Sequence, residues 1–340
     1  MSAIGSMREI AGRWALGIAS MAAISGALAQ DAILPLSQGQ SQLDNPAAMV
    51  AASEDWEVQM QHAARWANVN TGFNTQALTA RKSLRWGDMP GQIGLRFVED
   101  RLGPGLSHRA YGVQASVEQK LGRALIVGAG VQLGLAEWSW DLTGLSWGQQ
   151  YGPGGFDPGA STGEDAELLR GASRYADWAL GVAVDFSGTV NLRGDLALHH
   201  GRQNVGLIDT RADSLAFRFH AGSSLEAPLE LGSSQIGTLR IWQRSDLQGG
   251  EQLLELGAEI RHRFGHNSQY TRHSRSNEIG IGIGYQNSGA LRPIFSWRGA
   301  GGWSARLGPA LSTGPSGASQ GWAIAMGFAP TYGLLRYPTR

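Results

Sequence analysis

The chain has 340 residues, enough for one large domain or two ordinary ones, with 28 basic against 28 acidic residues and no cysteine. Lack of cysteine excludes disulfide frameworks, thiolate metal sites, a thiol nucleophile and a lipid-modified N-terminal cysteine. Balanced charge speaks against a nucleic-acid partner, and 49 glycines without a Gly-X-Y period disfavour both collagen and long helices.

In chain order, residues 1–29 read as a cleaved signal peptide. Arg8 and Arg13 mark a short basic region, "WALGIASMAAISGALA" supplies an apolar run, and Ala27-Leu28-Ala29 offers a small-x-small cleavage site. Either Met1 or Met7 fits as the start. Residues 30–54 are small, polar and proline-containing, and read as an irregular lead-in facing the periplasm.

From Trp56 onward, large and small residues alternate, the mark of strands with two unlike faces. "RAYGVQASVEQ" sets Tyr111, Val113 and Val117 against Gly112, Gln114 and Ser116. "ALIVGAGVQLGLA" sets Val127, Val131, Leu133 and Leu135 against Gly128, Gly130, Gln132 and Gly134. "DWALGVAVDF" does the same with Trp178, Leu180, Val182, Val184 and Phe186 against Ala179, Gly181, Ala183 and Asp185. "VNLRGDLALHH", "SLAFRFHA" (Leu215, Phe217 and Phe219 on one face), "LLELGAEIRHR", "EIGIGIGYQ" and "GWAIAMGFA" repeat the theme. Weaker candidates lie around 57–66, 76–86, 92–98, 236–242, 293–298 and 303–312.

No later segment has the ~20 consecutive apolar residues that a membrane helix needs. The pattern predicts an all-β fold: a single transmembrane antiparallel β-barrel over residues 55–340, of roughly 12 to 14 strands, with a long extracellular loop at about 137–176. A soluble β-sandwich would show the same alternation, but with hydroxyls, lysine and glutamate on its wetted face. Here the second face is glycine, alanine and paired charges, which suits a crowded lumen, and the large face carries aromatics toward strand ends, as a lipid-facing band does. Trp138, Trp140 and Trp147 predict a folded loop, since three tryptophans in water are costly.

Several segments resemble, in order, the PorP/SprF family of type IX secretion system membrane proteins. "LDNPAAM" carries Asn45-Pro46-Ala47, similar to that family's Asn-Pro-Ala element, and "HAARWANV" (Arg65, Trp66) resembles its arginine–tryptophan strand. "GQIGLRFVEDRLGPGLSHRAYGVQASVEQKLG" resembles its glycine-rich strand and Asp-x-x-Gly-Pro turn (Asp100, Gly103, Pro104). "RYADWALGVAVDFSG" (Asp177, Trp178) and "SRSNEIGIGIGYQ" resemble later strands, so the likeness spans about residues 43–290. It implies a non-enzymatic barrel in the cell outer membrane. Its implied partners are outer-membrane lipid, other type IX secretion components or the C-terminal domain of a secreted adhesin, in some members with gliding motility. A passive porin or hydrophobic-substrate channel is the alternative.

Chemistry candidates are few. His199 and His200 end a strand, where neighbours point to opposite faces, so they are not expected to chelate one ion. His262, His266 and His273 sit in the polar turn "HRFGHNSQYTRH", and nothing in the chain places a nucleophile and a base within hydrogen-bond reach of each other. No catalytic, cofactor or metal site is expected. Arg193, Asp195, Arg218, Glu255, Glu259 and Arg261 all fall on the inward face, as an ion-pair network that plugs the lumen or as a selective constriction. Near-equal signs favour the plug.

Overall fold

The computed structural model describes residues 36, 41–49, 55–65, 72–87, 89–163, 169–200, 203–204, 214–230, 236–267, 274–312 and 321–329, and fourteen antiparallel strands close into a barrel. The strands are β1 Trp56–Arg65, β2 Phe73–Trp86, β3 Met89–Leu102, β4 Leu106–Leu121, β5 Leu125–Asp141, β6 Arg170–Phe186 and β7 Asn191–His199. They continue as β8 Arg218–Glu230, β9 Ile236–Gln248, β10 Glu251–Asn267, β11 Ser274–Gln286, β12 Ala290–Arg298, β13 Trp303–Ser312 and β14 Gly321–Phe328. Each pairs with the next, and β14 closes on β1 from Val58↔Phe328 to Arg65↔Gly321. The signal peptide expected at 1–29 lies outside the described residues.

The period-two pattern sets the two faces. On β6, Leu180 is 54% exposed and Val182 49%, while Ala179 and Ala183 between them are 0% exposed. The large side chains point out of the barrel and the small ones in, the reverse of a water-soluble sheet. Along β6 the aliphatics Leu180, Val182 and Val184 lie between Trp178 and Phe186; along β14, Ile324 and Met326 lie between Trp322 and Phe328. Such a band of contiguous apolar surface requires hydrocarbon around it. Thirteen of the fourteen strands have 9 to 17 residues and β14 has 8, against the about 9–11 that a tilted membrane strand needs.

Val182→Arg is therefore expected to cost about 2–4 kcal/mol, because arginine there meets the bilayer midplane. Ala183→Ser, on the luminal side, should be nearly silent. Barrel assembly followed by heat-modifiable gel migration checks the pair; equal tolerance at both positions would contradict the outward face.

An even strand number returns both ends of the barrel sheet to one rim, where Trp56 and Phe328 stack edge-on with centroids 5.4 Å apart. The long connections 142–169 and 200–217 leave from the opposite rim, the one that in barrels of this kind carries the longer loops and faces outside the cell. The long loop is thus shorter than the expected 137–176, because β5 runs on to Asp141 and β6 starts at Arg170. Beyond the bilayer the outer face of these strands is wet instead of lipid-covered, so the alternation of large and small residues fades while pairing persists as Glu137↔Arg174 and Asp141↔Arg170. Within the loop, Tyr151–Gly152 pairs with Gly155–Phe156 as a small hairpin.

"SLAFRFHA" also departs from expectation. Ser214–Leu215 leaves the barrel wall and pairs with Gln203–Asn204, and Leu215 is buried with Trp138 and Tyr175 inside the extracellular mouth. Phe217 and Phe219 stay on the outside.

Candidate functional site in the barrel lumen

The lumen holds part of the chain's own N-terminal segment. Ser41–Leu43 and Pro46–Met49 form two short 3-10 turns, and residues 42–48 are all buried. This corrects the periplasm-facing placement of 30–54 for the part described. Residues this small and polar can enter a narrow polar bore, where every backbone group still needs a partner.

The wall supplies those partners. Asn45, fully buried, points its amide nitrogen at Val182 O (3.0 Å), Leu196 O (3.0 Å) and Asp195 Oδ2 (3.2 Å), and its Oδ1 accepts from Ala47 N (2.8 Å). Gln42 donates to Thr79 Oγ1, and Gln42 O accepts from Gln114 Nε2 at 2.8 Å. Asp44 O meets His199 Nε2, and Ala48 O accepts from Arg193 Nη2 at 2.6 Å. The approach is close enough to demand glycine: a Cβ on Gly181 would stand 1.9 Å from Asn45 Oδ1, and one on Gly130 would stand 2.5 Å from Pro46 C.

Behind Asp44 lies the densest charge cluster. Its Oδ1 is 2.9 Å from Arg218 Nη2 and 3.0 Å from Arg244 Nη2. Both arginines also hold Asp246, at 2.9 and 2.6 Å. His220 faces Asp246 through Nδ1 (3.0 Å) and Asp195 through Nε2 (3.3 Å). A ring donating from both nitrogens is imidazolium, so three cations balance three carboxylates. Asp44, His220 and Asp246 bring potential ligand atoms within 4.8 Å of one another. Two guanidiniums already occupy those carboxylates, so the cluster is an ion-pair lattice and repels a metal cation.

The other charged positions join smaller groups. Glu255 meets Arg292 (3.3 Å) and Gln286 (2.9 Å); Glu259 meets Arg306 (2.7 Å) and Ser296; Arg261 meets Glu226 (2.7 Å) and Glu278 (3.3 Å). Arg193 lies 3.7 Å from Asp185. The partners Asp44, Asp246, Arg244, Arg292 and Arg306 escaped the sequence reading because they lie far apart in the chain or in weakly alternating strands.

The motif residues divide by place. Asp100, buried, accepts from Arg65 Nη2 (3.0 Å) and Thr75 Oγ1 (2.5 Å), so two of the quoted elements meet across β1–β3. Asp177 is held by Arg96 (3.0 Å), Gln132 (2.9 Å) and His200 Nδ1 (2.9 Å), while Trp178 faces outward. Trp66 lies outside the described residues, as do His273 and the side chain of His266. His199 and His200 were expected on opposite faces, yet both imidazoles are buried with centroids 6.0 Å apart. His200 adopts a left-handed φ of 47°, which turns its ring inward at the strand end. The two rings still bind different groups, Asp44 O and Asp177.

At the extracellular rim a cleft of about 400 Å³ is lined by Arg101, Gly103, Pro104, Ser139, Trp140 and Arg170, among others. Gly103 turns there at φ 79°. Asp141 closes one side: it accepts from Thr143 Oγ1 (2.6 Å) and from Arg170 Nε (3.0 Å). The Thr143 hydrogen bond first, then Arg170, pulls its carboxyl from 3.8 to about 2. A folded value below the unfolded one means the contact persists above both and is lost only as pH falls through about 2. Asp141→Asn is expected to speed amide exchange at the base of loop 142–169 at pH 7 while leaving the barrel strands protected. Unchanged exchange at Leu142 and Thr143 would contradict this.

Residues 41–189 match the family model described as "Type IX secretion system membrane protein PorP/SprF". No curated protein matches the chain. Among solved structures, the toluene transporter TbuX of Ralstonia pickettii aligns at 10% identity and TM-score 0.48, covering 85% of this chain and 93% of that one. A FadL homologue of Pseudomonas aeruginosa aligns at 12% identity and TM-score 0.45, with 85% and 93% covered. The β domain of the Bordetella autotransporter BrkA aligns at 8% identity and TM-score 0.42, with 82% and 98% covered. Through its segment 41–189, which holds both the Asn45 anchor and the Asp100 turn, the chain is similar to the PorP/SprF family, and its closed fold is that of an outer-membrane β-barrel.

Proposed function

We propose that this barrel serves type IX secretion as a non-enzymatic docking component. It binds either another secretion subunit or the C-terminal domain of a secreted adhesin, and it serves gliding motility where the adhesin does. The observation that carries the reading is the family match over residues 41–189, a span in which Asn45 anchors the luminal segment and Gly103 and Pro104 frame the rim cleft. A filled, charge-balanced lumen suits a protein that works through its surfaces. It weighs against a passive porin, which needs an open constriction.

The docking surface assigned to this role is the extracellular cleft with loop 142–169, where Trp140 offers an aromatic anchor of the kind that dominates interfaces. Affinity purification of the tagged barrel from its own membranes should bring down secretion subunits or an adhesin C-terminal domain. Pro104→Arg, filling the cleft, should reduce that recovery while the barrel still assembles. Purification of the barrel alone, together with large steady currents in planar bilayers, would favour the porin.

A further inference from the structure

Of the fourteen strand pairings, only β12–β13 is interrupted among the described residues. It pairs at Ala290↔Ser312 and Leu291↔Leu311, stops, and resumes at Phe295↔Leu307. Carrying the register across the break sets Pro293 directly opposite Pro309. In an antiparallel ladder every second pair exchanges both N–H···O bonds. Two opposed prolines in that position have no N–H to exchange, so both bonds vanish, and each neighbouring pair loses one of the bonds that frame it. That accounts for all three missing pairs. Pro90 and Pro228, each opposite a non-proline, leave their ladders continuous.

The break lies within the apolar band. On the outer face Leu291 and Leu311 stand on one side of it, Phe295 and Leu307 on the other. Immediately inside, the lumen is apolar where most of it is ionic: Leu36, 2% exposed, clusters with Ala63, Trp242, Ile294, Ala323 and Ala325. Leu36 Cδ2 lies 2.9 Å from where a Cβ on Gly308 would stand, so it seats on the seam itself. Hydrocarbon outside, a wall without its cross-strand bonds, and an aliphatic seat inside are thus in line.

We propose that the β12–β13 seam is a lateral binding site for one lipid hydrocarbon chain, which parts the strands at Pro293 and Pro309 and takes the seat that Leu36 holds. The occupant follows from place and chemistry. Acyl chains are what stands outside at this depth, they ask for no hydrogen bond, and entry at the prolines breaks no ladder bond. A peptide strand added here would meet two residues with no N–H to give.

The full-length protein in liposomes containing a phospholipid with a diazirine on its acyl chain provides the test. Irradiation and peptide mapping should find adducts on the inward Trp242 and Ile294 as well as on the outward Phe295 and Leu307. Pro293→Val/Pro309→Val restores both N–H groups and should remove the inward adducts while keeping the outward ones. Leu36→Trp leaves the wall untouched and, by filling the seat, should do the same. Outward adducts alone in the unaltered protein would overturn the proposal, as would inward adducts that persist in both variants.

Discussion

Gly181→Leu should turn a closed barrel into a conducting one. Even a Cβ at this position would stand 1.9 Å from Asn45 Oδ1, 2.9 Å from its Cγ and 3.1 Å from Pro46 Cδ. Neither side can give way cheaply. Gly181 sits in the wall, paired to Gly130 and Ala197, and Asn45 is tied to β6 and β7 by its amide. The barrel wall, with its long ladders, is the stiffer partner, so the segment 41–49 is expelled. Single-channel recording in planar bilayers should show near-zero current for the unaltered protein and steady open-channel current for Gly181→Leu. Heat-modifiable migration confirms that the barrel is assembled. A variant that assembles and stays closed would show that the Asn45 anchor does not keep the lumen shut.

Asp246→Ala is the largest expected loss of stability, about 3–5 kcal/mol, because it strips a carboxylate from a buried lattice. Arg218 and Arg244 both bond Asp246, and His220 donates to it; with Asp246 gone, three cations face only Asp44 and Asp195. Arg170→Ala at the exposed rim removes an equally short ion pair, yet should leave the unfolding midpoint nearly unchanged, since water and salt screen it. Denaturant unfolding in detergent micelles compares the two. Similar midpoints would mean that the lattice is hydrated and contributes little.

Much of the wall was legible from the chain alone. The strict alternation in residues 177–186, 279–285 and 322–328 turned out as outward aliphatics and inward small residues, since a strand's side-chain period is independent of what it packs against. The pattern also bounded the strand number, and fourteen falls within it. Where strands leave the bilayer the pattern fails: Trp138 and Leu215 look like loop or outer-face residues in sequence, yet both are buried in the extracellular mouth. Their environment is set by a chain return near Ser214 that local periodicity does not encode.

The inward face of Arg193, Asp195, Arg218, Glu255, Glu259 and Arg261 was readable, but their partners were not. Arg218 bonds a residue 174 positions away, and Arg244 one 200 positions away, both through Asp44. Alternation specifies which side of a sheet a charge occupies; closure of fourteen strands decides which charges face one another across the bore. The same holds for Asn45-Pro46-Ala47: its residues mark a family, but only the folded barrel shows them inside the lumen, against Gly130 and Gly181. Local sequence thus determined strand, face and surrounding solvent, because these depend on neighbours along one strand. Tertiary structure alone decided what fills the barrel and where its wall is weak, because both depend on residues brought together across it.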